Sequence, residues 1–227
     1  MPSPANRRRT LDLARLHSAT GLVPLAGFVL IHVWQTSAAP RGRHAFDAAQ
    51  LGGEGTLVSV LLEALLVLLP LVAHAATGIV LWRRDASGAA GPYASVGLRL
   101  VQRVTGTIVA VFLVVHVLQT WAFEVGGADA AVLYDVLRSE LGRPVYAIVY
   151  VVGLTAVSFH LALGVAASAI RLGIARTPAA GRLARVLGAV LGVAVWLVSI
   201  NTLSHFVVGR AFVGATTPAA VVEDPSP

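Results

Sequence analysis

The chain has 227 residues, of which 56% are hydrophobic and only 12% charged, and its mean hydropathy is +0.78. This balance excludes an ordinary soluble globular domain. The formal net charge is +6 with arginine as the basic residue throughout, and the absence of cysteine excludes disulfides, thiolate-bound haem or zinc, and iron–sulfur clusters ligated by this chain.

Five apolar stretches can be read along the chain, near residues 16–38, 57–82, 100–123, 145–170 and 184–209. Each is long enough to cross about 30 Å of hydrocarbon at about 1.5 Å per helical residue, and the alternating pattern of a membrane barrel is absent. The sequence therefore predicts an all-α integral membrane protein with five transmembrane helices. We expect a separate N-terminal segment over 1–15, the membrane domain over 16–209 and a disordered tail over 210–227.

The arginines predict the orientation of these helices. Most of them lie before the first helix, between the second and third, and between the fourth and fifth, whereas most acidic residues lie on the opposite side. By the positive-inside rule the N terminus is cytoplasmic and the C terminus extracytoplasmic. The bias explains the basic net charge without a nucleic-acid partner, and it continues through the later loops, which disfavours an organellar transit peptide.

An internal repeat relates the first four helices. Four of the apolar stretches carry one histidine each: His32, His74, His116 and His160. In the first and third helices a Thr-Gly precedes the histidine and a Gln-Thr begins three residues after it, while the histidines of the second and fourth are followed at i+4 by Gly78 and Gly164. The pattern indicates a duplicated helical hairpin with a fifth helix appended.

The four histidines fall into two depth-matched pairs. The separation is counted from the nearest arginine on the predicted cytoplasmic, or inner, side. It is 17 residues for His32 and 13 for His116, but only 9 for His74 and 11 for His160. Each hairpin thus contributes one imidazole to an outer tier and one to an inner tier. A lone histidine in an apolar helix is usually a satisfied structural group, but paired imidazoles are costly enough in a bilayer to predict two bound haems. Metal transport and proton relay remain open alternatives.

Glycines at helical spacing from these histidines favour a flat cofactor. Gly78 and Gly164 lie one turn beyond their histidines on the same face, where a Cβ would obstruct a porphyrin. Gly21 precedes His32 by 11 residues, close to three turns, and Thr105 holds the corresponding position before the third-helix histidine. Small residues also promote helix contacts in membranes without any cofactor.

The motifs SATG, AHAATG, VTG and FHLALG, in this order around the four histidines, resemble those of a known family. Over nearly its whole length the chain resembles the dihaem cytochrome b membrane-anchor subunit of bacterial succinate:quinone oxidoreductases and fumarate reductases. The resemblance implies two b-type haems, His32 with His116 ligating the distal one and His74 with His160 the proximal one. It also implies flavoprotein and iron–sulfur subunits on the cytoplasmic face of the bacterial inner membrane, and a quinone of the menaquinone type as substrate. The dicarboxylate site would not be on this chain.

Other polar residues are candidates for supporting roles. Those expected to orient a ligand or bond a haem propionate are Gln35 and Gln119 in the outer tier, and His17, Ser18, Gln102 and Arg103 near the inner side. The alternative explanation is ordinary polarity at helix ends. Candidates for a quinone site are Trp34, Gln35, His44, Asp47, Glu54, Gln119 and Trp121.

Four further features carry separate expectations. Glu63, a carboxylate among Leu and Val in the second helix, is a candidate for proton transfer. Ser158 stands where some family members carry an acid just before the fourth-helix histidine, which puts that proton route in doubt. His205 is expected to be structural or near the quinone. Pro24 and Pro70 are expected to interrupt their helices.

Two other functions remain open from the sequence. The chain could be the cytochrome b anchor of a hydrogenase or formate dehydrogenase, although the two-hairpin repeat argues against it. It could also be a haem-free transporter using paired histidines and a glutamate, which predicts a colourless protein. Phosphate loops, nucleophile triads and zinc-protease motifs are not found in the sequence.

Overall fold

A computed structural model describes residues 4–50, 57–84, 91–125 and 130–214. Within these ranges the regular structure is helical and no strand occurs. Among the described residues, five helical segments are long and apolar enough to cross a membrane, which confirms the predicted fold class. In chain order, the first to fifth spans are Thr10–Arg41, Leu61–Arg84, Val96–Gln119, Pro144–Arg171 and Pro178–Val208.

Proline and glycine mark the ends of the last two spans. Each begins with a proline, whose fixed φ suits the first helical turn and whose missing N–H would be unpaired there anyway. At the start of the fifth span, Thr177 Oγ1 accepts a hydrogen bond from the Ala180 N–H at 3.1 Å. Gly173 and Gly209 follow the two helices with φ of 75° and 73°, the left-handed conformation that ends a helix at low cost in glycine.

The first and second spans are each interrupted by a π turn. In the first span, the π turn Gly21–Leu25 lies between the α-helices Pro4–Thr20 and Ala26–Thr36. In the second span, the π turn Ala64–Leu68 lies between the α-helices Leu57–Glu63 and Leu69–Arg84. Pro24 lies inside the first π turn and Pro70 follows the second closely. A proline removes one donor and crowds the carbonyl four residues earlier, so the ladder widens there. The third and fourth spans lie in uninterrupted helices, Val96–Val125 and Pro144–Arg171.

The spans pack as two hairpins side by side. The first span packs on the second and the third on the fourth, while the first also contacts the fourth. The fifth span lies along the fourth and touches the first, where Ala26, Leu161 and Val195 form a small core. Many large apolar side chains face outward, such as Leu65 and Val190, which are 59% and 61% exposed. An apolar outer surface of this extent suits contact with lipid.

Glycines allow the fourth and fifth spans to approach closely. A Cβ built at Gly188 would overlap the Ala162 carbonyl oxygen, and one at Gly192 would lie 2.6 Å from the Ala162 Cβ and 2.8 Å from the Ser158 carbonyl oxygen. The obstructing atoms are mostly backbone and cannot swing away. Ser158, whose side chain donates to the Leu154 carbonyl at 2.9 Å, is thus part of a helix contact.

We expect Gly192→Ala to destabilise the folded protein by about 1–3 kcal/mol, the usual cost of overpacking. At a helical position with free space, a Gly→Ala substitution stabilises the protein by up to about 1 kcal/mol. A loss of stability in Gly192→Ala would therefore identify the close contact between the helices. Thermal unfolding in detergent measures it. Gly97→Ala is the matched control, because its new Cβ would meet only Ser95 Oγ at 3.8 Å. Equal midpoints for the two variants would contradict the packing.

Two short helices that the sequence did not predict close the outer end of the bundle. They are Arg43–Ala49 and Ala130–Leu141. Phe46, only 1% exposed, packs with Tyr134 and with Phe206 of the fifth span. Arg43 forms a salt bridge with Asp135. These contacts order the outer loops into a cap, where we expected only connecting segments.

The ends of the described chain differ from the expected limits. The first helix starts at Pro4, so residues 4–15 continue the first span, because arginine, leucine and alanine favour helix. Beyond the fifth span, Asn201 Oδ1 accepts from the N–H groups of Phe212 and Val213 at 2.7 and 2.9 Å, and Ser204 donates to the Arg210 carbonyl. The first residues of the expected disordered tail are therefore held on the fifth span. Residues 215–227 lie outside the described residues.

Candidate functional site

The structure brings together the two histidine pairs that the sequence placed at matched depths. The rings of His74 and His160 face each other with centroids 6.1 Å apart and planes at 89°. The rings of His32 and His116 have centroids 5.8 Å apart and planes at 76°. An imidazole nitrogen binds a metal such as zinc at about 2.0–2.1 Å, so two imidazoles on opposite sides of one ion have centroids roughly 6 Å apart. Each pair has the separation that a shared ion requires.

In the inner pair both Nδ1 atoms bond to the backbone of the other helix in the same hairpin. His74 Nδ1 donates to the His17 carbonyl at 2.9 Å, and His160 Nδ1 donates to the Gln102 carbonyl at 3.2 Å. His17 and Gln102 are equivalent positions of the repeat, four residues before Gly21 and Gly106. The two hairpins thus hold their inner histidines in the same way, and each Nε2 is the ring nitrogen left for a metal.

Glycines lie under both inner rings. A Cβ at Gly21 would lie 2.6 Å from His74 Cε1, and one at Gly106 would lie 2.9 Å from His160 Cε1. We expected Thr105 to correspond to Gly21, and this was wrong by one residue. The π turn Gly21–Leu25 adds one residue to the first span. The 11-residue separation of Gly21 from His32 therefore corresponds to the 10-residue separation of Gly106 from His116 in the third span. Thr105 is buried and donates to the Val101 carbonyl of its own helix.

Gly78 and Gly164 also occupy equivalent positions, but beside the supporting residues. A Cβ at Gly78 would lie 3.1 Å from His17 Cε1, and one at Gly164 would lie 3.3 Å from Gln102 Nε2. His17 in turn stacks on His74, with centroids 3.8 Å apart, and its Nδ1 donates to the His74 carbonyl. These two glycines therefore make room for the side chains that back the inner rings.

The outer pair is enclosed by aromatic rings. Phe28 stacks near His32 and Phe112 near His116, both with centroids 5.6 Å apart, and each phenylalanine lies four residues before its histidine. Tyr150 of the fourth span adds a third ring, and its phenol oxygen is 3.0 Å from His116 Nδ1. Phe112 and Tyr150 were not among the residues predicted from the sequence, although a phenylalanine four residues before the histidine occurs in both hairpins.

The glutamines and Trp34 at the outer level have different surroundings. Gln35 is buried, and the buried Oε1 of Gln119 has no hydrogen-bond partner among the described residues. Trp34 is 63% exposed, which suits an anchor at the membrane interface better than a binding contact.

Glu63 is exposed on the second span. It lies 11 residues before His74, with the π turn Ala64–Leu68 between them, whereas Tyr150 lies 10 residues before His160 with no π turn. With the extra residue of the π turn, Glu63 is the repeat counterpart of Tyr150. The repeat therefore places Glu63 at the level of the outer histidine pair.

Two of the outer-loop candidates, His44 and Asp47, have side chains that the structure describes. His44 is exposed, and Asp47 is half-buried with an Oδ1 that has no partner among the described residues. Glu54 lies outside the described residues, as does the side chain of Trp121. His205 is bonded to Tyr134 within the cap, at 2.6 Å from Nε2 to the phenol oxygen, so it is part of the structural contacts of the outer end.

Basic residues gather at the inner end of the bundle. Arg171 donates to Ser18 Oγ at 2.8 Å, and Arg103 lies over the Trp82 ring at 5.8 Å. Burial raises the pKa of the nearby Tyr93 phenol, and the positive charges of Arg171 and Arg103 oppose that shift. The phenol therefore stays neutral beside the cations, and this end of the bundle suits anionic groups.

Comparison with known proteins identifies the family. No protein-family model and no solved structure matches the chain. The chain is 31% identical over 201 residues to the "Succinate dehydrogenase cytochrome b558 subunit" of Bacillus subtilis (strain 168), across 88% of this chain and 98% of the relative. This match confirms the resemblance drawn from the histidine motifs. The chain belongs to the family of the succinate dehydrogenase cytochrome b558 subunit.

Proposed function

We propose that this chain anchors a succinate dehydrogenase or fumarate reductase complex in the membrane and carries electrons through two b-type haems. His74 and His160 ligate the inner haem iron, and His32 and His116 ligate the outer one. The observation that carries the proposal is the pair of facing imidazoles found twice, with centroids 6.1 and 5.8 Å apart. The relative's name, a cytochrome b subunit of succinate dehydrogenase, supports it.

The donor set fits haem better than a bare metal ion. Among the described residues no group of three or more His, Cys, Asp or Glu side chains surrounds a common point. Zinc and other bare ions require more protein ligands than two imidazoles. A porphyrin would supply the remaining ligands itself, so a pair of histidines would be sufficient to hold its iron.

The surroundings of the inner pair also fit a flat ring. Gly21 and Gly106 leave the space beside the imidazoles free of Cβ atoms, and buried Gln102 Oε1 has no partner among the described residues. Gln102 Nε2 lies 3.5 Å from His160 Nε2, so this buried amide is among the residues that would contact a haem held by His160.

The role of the protein is to position and insulate the redox groups. The haems supply one-electron transfer when bound. The His17 and Gln102 carbonyls hold the inner imidazoles through Nδ1 and leave each Nε2 for the iron that it would bind, and Phe28 and Phe112 pack on the outer histidines. At the inner end Arg103 and Arg171 would neutralise haem propionates, and Ser18 Oγ, which accepts a hydrogen bond from Arg171, holds that guanidinium in place.

The two ends of the bundle have different partners in this proposal. The arginine-rich inner end faces the cytoplasm, with the N terminus, and receives the iron–sulfur and flavoprotein subunits; lipid surrounds the spans. A quinone, of the menaquinone type, reacts near the outer pair. Glu63 at that level, and Asp47 with its unpartnered Oδ1, are the candidates for passing its protons.

A reduced-minus-oxidised spectrum with pyridine haemochrome quantitation tests the proposal on the purified protein. We expect two b haems per polypeptide and copurification of a flavoprotein of the dicarboxylate type. A colourless protein would point to the transporter alternative. A nickel or molybdenum subunit in the complex would point to a hydrogenase or formate dehydrogenase anchor.

A further inference from the structure

Tyr150 distinguishes the outer histidine pair from the inner one. Its side chain is 6% exposed, and its phenol oxygen lies 3.0 Å from His116 Nδ1. The inner histidines bond through Nδ1 to backbone carbonyls, which every helix offers. In the outer pair His116 Nδ1 instead contacts a side chain, that of Tyr150, and the repeat counterpart of Tyr150 is a carboxylic acid.

The chemistry of the contact follows from which nitrogen binds the metal. If His116 binds iron through Nε2, Nδ1 carries the proton and donates it to the Tyr150 oxygen. An acceptor at Nδ1 raises the basicity of the imidazole and fixes the orientation of its ring. A more basic ligand stabilises the ferric state, so the hydrogen bond lowers the reduction potential.

We propose that Tyr150 is a positioning residue that orients His116 and lowers the reduction potential of the outer haem alone. This inference rests on the proposed function. The aromatic wall is separable from the hydrogen bond, because the Tyr150 ring also packs at 90° on Phe112, with centroids 5.2 Å apart. Tyr150→Phe retains that wall and removes only the oxygen. Tyr146→Phe removes a phenol oxygen one turn earlier on the same span and is the matched control.

Redox titration of the haem absorbance in the purified complex tests the role of Tyr150. We expect Tyr150→Phe to shift the reduction equilibrium of the outer haem about tenfold toward the ferrous form, about 59 mV upward for a one-electron couple. The inner haem and Tyr146→Phe should show no shift. The ferric electron paramagnetic resonance signal of the outer haem should change with the ring orientation.

The outcomes separate this inference from the function on which it rests. Selective loss of the outer haem from Tyr150→Phe would also support a positioning role. Two haems with unchanged potentials in Tyr150→Phe, or an equal shift in Tyr146→Phe, would overturn the inference and leave the proposed function standing. Fewer than two haems in the unaltered protein would overturn the proposed function itself.

Discussion

His74→Ala and His160→Ala are expected to remove the same haem, and His32→Ala and His116→Ala to remove the other. Each substitution deletes one of the two imidazoles that would hold a haem iron, and a haem that keeps only one protein ligand would bind far more weakly. About half of the bound haem should be lost from each variant. Pyridine haemochrome quantitation measures the loss, and the low-temperature difference spectrum identifies which band remains.

The four variants are matched controls for one another, because each changes one histidine to alanine inside one span. Variants of one pair should leave the same residual spectrum, and variants of different pairs should leave complementary spectra. Loss of the same haem from His32→Ala and His74→Ala would contradict the pairing. Loss of both haems from every variant would show that the sites fold together rather than separately.

The pairing was accessible from the sequence because helical rise converts residue counts into depth. Counts from the inner arginines placed the four histidines in two tiers, and the facing rings lie in those pairs. The five spans were likewise readable, since apolar length and composition determine what can cross a bilayer. The spans and the histidine tiers depend on the local sequence and on the bias of arginine toward one side of the membrane.

The prediction that Thr105 corresponds to Gly21 was wrong because it counted residues back from each histidine as if both spans were uniform α-helices. A π turn shifts every later residue by one position, and Pro24 alone does not reveal whether the ladder kinks or widens. Aligning the Thr-Gly motifs themselves, rather than counting from the histidines, would have paired Gly21 with Gly106. The same correction relates Glu63 to Tyr150.

The outer cap was missed for a different reason. Helix Ala130–Leu141 carries apolar residues at Leu133, Leu137 and Leu141, a helical spacing that was readable. Its position over Phe46 and the fifth span depends on tertiary contacts between distant segments, which no local pattern states. The hydrogen bond between Tyr150 and His116 is likewise a tertiary contact between distant segments, so no local pattern predicts it.

Gly21 offers a test of the inner site that leaves both ligands in place. The His74 ring is fixed by its hydrogen bond to the His17 carbonyl, so it cannot retreat freely from a new methyl group. A Cβ at Gly21 would lie 2.6 Å from His74 Cε1 and 3.0 Å from Nδ1. Relief of this contact requires the His74 ring to move, which would disturb its separation from His160 and so the site that would hold the iron.

We therefore expect Gly21→Ala to weaken binding of the inner haem by about 10–100-fold, the range seen when support of a metal ligand is lost. Transfer of haem to an acceptor apoprotein, followed spectroscopically, measures the change for each haem. Gly27→Ala on the same span is the matched control, because nothing lies within 4 Å of its new Cβ, and it should retain both haems. Alanine favours helix over glycine at both positions, so a difference in helix propensity cannot explain opposite results. If Gly21→Ala keeps the inner haem as firmly as Gly27→Ala does, the His74 ring is not held against the first span, and the geometry proposed for the inner iron is wrong.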